Sequence, residues 1–112
     1  MNRFAIEPGM PHLVELLLPV SDGSGQRFPR SLYEKTAAEL TERFGGLTAH
    51  VRAPAAGVWE ARSGQTERDD IVIYEVMVDS IDSGWWAAYR RELESRFVQE
   101  ELVIRAQEIR RL

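Results

Sequence analysis

Apolar and polar positions follow two different rhythms along this chain, and the points where the rhythm changes divide it into short elements. Leu13 to Val20 (LVELLLPV) is an apolar run of strand length, stopped by the turn cluster Ser21 to Gly25. From Pro29 to Phe44 the period lengthens. Leu32, Thr36, Leu40 and Phe44 recur every fourth residue with Tyr33 and Ala37 beside them, which predicts a helix with one apolar face. Ser31 with Glu34 predicts a capping box at its start, and Gly45-Gly46 a left-handed stop at its end. Leu47 to Ala53 alternates as a half-buried strand. Pro54 to Gly57 then turns the chain, Val58 to Arg62 fits a short extra strand, and Ser63 to Asp70 reads as a polar hairpin loop. Ile71 to Val78 is β-branched and nearly continuous, as a central strand should be. A second helix is predicted from about Asp82 to Phe97, with Trp86, Tyr89, Leu93 and Phe97 as its stripe, and Glu101 to about Ile109 alternates as a last strand.

The order βαββαβ is that of the ferredoxin-like fold, an α+β architecture with a four-stranded antiparallel sheet and both helices on one face. A small extra strand fits in the central hairpin. Each helix needs apolar partners, so Val14, Leu16 and Leu18, then Leu47, Ala49 and Val51, then Val72, Val76 and Val78, then Leu102 and Ile104 should face the helices. Tyr74 shares that parity and needs a partner for its hydroxyl. The opposite parity carries Glu15, Leu17, Thr48, His50, Arg52, Ile71, Ile73, Glu75, Met77, Val103, Arg105 and Gln107. Solvent alone does not call for Leu17, Ile73, Met77 and Val103 on a face without helices. Apolar residues mixed with charges there point to an interface or a ligand surface.

The length of 112 residues suits one domain spanning 1–112, with 1–12 as an N-terminal arm and 110–112 as a tail. Fourteen Lys+Arg against eighteen Asp+Glu leave a charge of −4 spread along the chain. That argues against a nucleic acid or an anionic membrane as partner, since either needs a basic face. Thirteen of the fourteen basic residues are Arg, which reads as a compositional bias rather than as anion recognition. Without cysteine there is no disulfide, thiolate metal site or cysteine nucleophile. No apolar run has the ~18–20 residues that span a bilayer, and Met1 to Met10 has no signal-peptide core, so a cytoplasmic location is the default expectation.

Candidate chemistry gathers on the helix-free face. With the first and third strands central, Glu15 and Glu75 fall mid-sheet, His50 and Arg52 on one edge strand and Arg105 on the other. One reading is an acid/base constellation with Glu75 or His50 as base and Arg52 as an anion or oxyanion partner. The other is a set of cross-strand ion pairs at a face-to-face dimer interface. A lone His50 without acidic residues at ligand spacing makes a poor metal site, and His12 reads as a surface residue. Ser24 lacks the nucleophile-elbow spacing, and Gly23-Ser24-Gly25 lacks the third glycine of a dinucleotide fingerprint, so no cofactor is expected. Trp85 and Trp86 diverge by about 100° on a helix. Trp85 therefore leaves the stripe, either to pack near Trp59 or to serve as an interface anchor or pocket wall.

SGQRFPR (Ser24 to Arg30) superficially resembles the phosphate-cradling loop of the acylphosphatases, with Arg30 at the matching position. That family needs an asparagine on the second strand, and the one Asn of this chain is Asn2, so the resemblance does not imply the activity. RNA-recognition domains share the fold but need exposed strand aromatics and a basic surface. RFGGLTAHVRAPAAGVW (Arg43 to Trp59), ERDDIVIYEVMV (Glu67 to Val78) and WWAAYRRELESRFVQEELVIRAQEI (Trp85 to Ile109) resemble a group of small uncharacterised bacterial proteins. That resemblance implies a fold class and a bacterial origin, and transfers no catalytic residue.

Two function classes follow. The first is a cytoplasmic homo-oligomer, joined through the open sheet faces, that binds a small ligand or a partner. The alternative is a small cofactor-free enzyme whose pocket is walled by Met77, Ile73 and Trp85, with His50, Glu75 and Arg52 supplying the polar chemistry. A partner docked on an exposed edge strand is a third arrangement.

Overall fold

The computed structural model describes residues 10–52 and 71–112. Six elements appear in the order β1 (His12–Pro19), α1 (Arg30–Phe44), β2 (Thr48–Arg52), β3 (Ile71–Val78), α2 (Ser83–Arg96) and β4 (Ile104–Glu108). The sheet is antiparallel with strand order β2-β3-β1-β4, so β1 and β3 are central, and the topology is ferredoxin-like. The expected extra strand at Val58 to Arg62 lies outside the described residues.

Both helices cover the same sheet face. Val14, Leu16 and Leu18 from β1, Tyr74, Val76 and Val78 from β3, and Leu102 meet Leu40 of α1 and Trp86, Tyr89 and Leu93 of α2. Phe97, fully buried just past α2, sits edge-on to Phe28 with ring centroids 5.4 Å apart and tilted against Tyr33 at 5.2 Å. Burying each such side chain is worth about 1.5–3 kcal/mol. The Tyr74 hydroxyl donates to the Tyr33 carbonyl at 3.3 Å, and the Tyr33 hydroxyl donates to the Pro19 carbonyl.

Three local expectations are corrected. The helix begins at Arg30, which puts Ser31 inside its first turn. Pro29 occupies the cap position without a side-chain hydrogen bond, so there is no capping box. Ala49 and Val51 of β2, expected in the core, are exposed, Val51 by 81%. The reason is that α1 packs on β3 rather than on the edge strand. The last ladder starts at Ile104, not Glu101, because the Leu102 amide donates to the Glu94 carboxylate at 2.9 Å instead of to a neighbouring strand. Gly45 does stop α1 in the left-handed conformation, at φ 82°.

The end of α2 carries strain. Gln99 N–H donates to the Glu94 carbonyl and Val98 N–H to the Ser95 carbonyl, the Schellman pattern, which needs a left-handed residue at Val98. Val98 meets it with φ 49° although it is β-branched and 74% exposed. Val98→Gly is therefore expected to stabilise the fold by about 0.5–1 kcal/mol, the ~1–2 kcal/mol of relieved strain less the entropy cost of glycine. Urea unfolding of the variant checks this, and an unchanged or lower midpoint contradicts it.

Candidate functional site

On the helix-free face, strand register sets side chains in rows across the sheet. One row runs Thr48, Glu75, Glu15, Arg105 over all four strands. The next row places His50, Ile73 and Leu17 side by side, and on the far side Met77, Leu13 and Gln107 are opposite one another. A charged row is thus bracketed by two largely apolar ones.

Two cross-strand contacts are among those that hold the charged row. His50 Nε2 lies 2.8 Å from Glu75 Oε1, reaching diagonally from the neighbouring row, and Arg105 Nε donates to Glu15 Oε1 at 2.9 Å. Between these pairs, Glu15 and Glu75 are direct cross-strand partners. Like charges placed opposite each other oppose folding, and His50 and Arg105 offset that repulsion from either side. Each carboxylate is mostly sheltered, with its side chain 20% exposed, while the His50 and Arg105 side chains are about half exposed. Pairs this open contribute only about 0.2–1 kcal/mol to stability.

The structure therefore brings His50 to Glu75 and adds Glu15 and Arg105 to the same row. Thr48, Leu17, Ile73 and Met77 share that face. Ile73 is 2% exposed there, although it lies outside the helix-side core, and Met77 is 47% exposed. Arg52 is the last residue of β2, opposite Ile71. Trp59 lies outside the described residues. Trp85 is placed elsewhere, in the helix layer, stacked on Tyr89 at 4.8 Å, edge-on to Phe44 at 5.4 Å and covered by the Arg43 guanidinium at 4.2 Å. It is on the opposite side of the sheet from Met77 and Ile73, so it cannot wall a pocket with them.

A cavity of about 370 Å³, not evident from the sequence pattern, opens at the end of the helix-free face, with Leu17, Ile71 and Val103 among its apolar walls and Asp22, Gln99 and Glu101 among its polar ones. Leu17 follows Glu15 by two strand residues, about 7 Å, so the cavity adjoins the charged row. The signal was the apolar excess on that parity; the missing piece was that the loops after β1 and α2 close its end.

The loop after β1 spends its own polar groups. The Asp22 carboxylate accepts the backbone N–H groups of Ser24 and Gln26 and the Ser24 hydroxyl, and these bonds hold it below the usual carboxylate range. Amides tied to Asp22 cannot cradle a phosphate, so the acylphosphatase resemblance stops at the string. Among the described residues no three His, Cys, Asp or Glu side chains group to hold a metal ion, and no helix is long and apolar enough to cross a membrane.

No family model matches this chain, and no curated protein matches it. Solved structures do. A phage SAM lyase in complex with S-methyl-5′-thioadenosine is similar over 89% of this chain and 82% of its own, at 18% identity and a TM-score of 0.58. A phage SAM lyase in the apo state is similar over 96% and 86%, at 16% identity and a TM-score of 0.51. At these identities the likeness is one of fold: this is a small α+β chain of ferredoxin-like architecture.

Proposed function

We propose that this chain is a homo-oligomeric small-ligand-binding module, cytoplasmic, whose subunits join through the helix-free sheet face. The observation that carries this reading is the row Glu75, Glu15, Arg105, with His50 on Glu75, lying between apolar rows and next to a 370 Å³ cavity. Isolated charges in solvent would not need Leu17, Ile73 and Met77 around them. A second copy over this face would cover what Leu17 and Met77 still expose beside the already buried Ile73, and turn the cavity into an enclosed site. A stable interface of this kind removes about 1,200–2,000 Å² from water. Sedimentation of the untagged protein at micromolar concentration is expected to give a dimer or larger symmetric assembly. A stable monomer near 12.8 kDa sinks the reading.

One comparison favours a second reading. The fold is shared with a phage SAM lyase that holds S-methyl-5′-thioadenosine, which supports a small cofactor-free enzyme acting on a sulfonium nucleoside. In that reading Glu15 and Glu75 favour the sulfonium charge, and the His50/Glu75 pair accepts a proton from the carbon adjacent to the one bearing sulfur as the C–S bond breaks toward sulfur and a C=C bond forms, releasing S-methyl-5′-thioadenosine and an unsaturated amino acid. Incubation with S-adenosylmethionine and chromatography for S-methyl-5′-thioadenosine tests it, and absence of product above the spontaneous rate removes it.

A further inference from the structure

A separate cavity of about 430 Å³ opens on the helix side of the sheet, where α1 leaves β2 uncovered. It is walled by Phe28, Tyr33, Val72 and Tyr74 and by the exposed Ala49 and Val51, with Arg27 and Arg30 among the lining residues. Small-molecule sites typically fall within ~300–1,000 Å³ and are largely apolar with a few placed polar groups.

The lining chemistry narrows the ligand. Both phenols are already spent, Tyr33 on the Pro19 carbonyl and Tyr74 on the Tyr33 carbonyl, so the aromatic walls offer carbon rather than hydroxyl groups. Among the described residues no acidic side chain lines the cavity. The polar side chains that remain are two guanidiniums, and neither has a carboxylate partner among the described residues. Arg27 lines the cavity together with Tyr33; burial and Tyr74 push that phenol up, and the Arg27 charge acts against them. The chain as a whole carries −4, so its overall field opposes anions and the local pair of arginines must supply the attraction.

We propose that this helix-side cavity binds a flat, largely apolar molecule carrying one anionic group, with its rings against Phe28, Val51, Val72 and Tyr74 and its anion on Arg27 and Arg30. The site is distinct from the helix-free face and does not depend on the function proposed for that face.

The probe is 8-anilinonaphthalene-1-sulfonate, with the uncharged N-phenyl-1-naphthylamine as a control of the same ring shape. Fluorescence titration of the full chain is expected to show one saturable, blue-shifted sulfonate site per chain. The double variant Arg27→Gln/Arg30→Gln should weaken the sulfonate about tenfold, the ratio for a charge-assisted contact of ~1.4 kcal/mol, and change the neutral probe less than about twofold. Arg91→Gln/Arg110→Gln, which removes the same charge elsewhere, should change neither. Ala49→Trp fills the cavity and should abolish both. The arginine variants alter exposed residues and should keep the parental melting temperature, so they decide the question even if Ala49→Trp folds poorly. Equal losses in both arginine pairs, equal affinity for the two probes, or no saturable sulfonate binding below about 1 mM overturns the proposal.

Discussion

Arg96→Met is expected to destabilise the fold by roughly 3 kcal/mol and lower the melting temperature by about 10–15 °C. Arg96 leaves α2 with its side chain only 7% exposed and ties the two helices together. Its guanidinium donates to both Glu39 oxygens, at 2.7 and 3.0 Å, and to the Thr36 hydroxyl at 2.8 Å, while the Tyr89 hydroxyl donates to the same Glu39 carboxylate at 2.8 Å. Thr36 is fully buried. Removing the cation leaves the Thr36 hydroxyl and the carboxylate without their main donor. Glu39 is 35% exposed and can take up water, so the cost belongs at the lower end of that for breaking a buried pair. A matched change at the half-exposed Arg105 should cost less than about 1 kcal/mol. A melting temperature within a few degrees of the parent would mean that the apolar stripe alone holds the helices.

The same network sets a pH signature. Burial pushes the Glu39 carboxyl up, but hydrogen bonds from Arg96 and Tyr89 and the Arg96 charge outweigh it, so its folded value lies below the ordinary 4.5. A depressed carboxyl contributes stability that is complete above about pH 4.5 and is lost as pH falls through the folded value. Tyr89 is shifted the other way, by burial first and then by Glu39. Its contribution is complete below pH 10 and is lost as pH rises beyond that. Arg96→Met should flatten the acid limb, because it removes the partner that lowers Glu39.

Glu75→Gln is expected to act in opposite directions on stability and on chemistry. It removes one member of the Glu15/Glu75 pair, so the fold should stay as stable as the parent or gain up to about 1 kcal/mol. It also removes the carboxylate that His50 contacts at 2.8 Å. Where the wild-type chain turns over S-adenosylmethionine, the variant should lose at least about 100-fold of that rate, the usual scale for a positioned acid or base. A stable variant with its rate intact would assign the charged row to structure or assembly. A variant that loses several kcal/mol would mean that the His50/Glu75 pair is a structural tie.

The chain wrote most of its architecture into local signals. The fourfold recurrence of Leu32, Thr36, Leu40 and Phe44, the stripe from Trp86 to Phe97, the glycine stop at Gly45 and the bounds of Ile71 to Val78 are short-range features, since period and turn chemistry act within a few residues. Strand parity likewise separated the helix-facing set from the face that carries Glu15, Glu75 and Arg105. It set Ala49 and Val51 on the helix side but not their exposure, because alternation says that a strand has an apolar side and not whether a helix reaches over it.

What only the tertiary structure decided is which distant side chains meet. The register that sets Glu15 opposite Glu75, the reach of His50 to Glu75, the edge-on contact of Trp85 with Phe44 and the Arg96 clamp on Glu39 join residues 25 to 60 positions apart on different elements. Local periodicity holds no information about such pairs. They follow from how far each helix slides along the sheet, and that offset is set by packing of the whole core around Leu16, Leu93 and Phe97. The two cavities arise the same way, at the places where loops and helices fail to cover an apolar strand face.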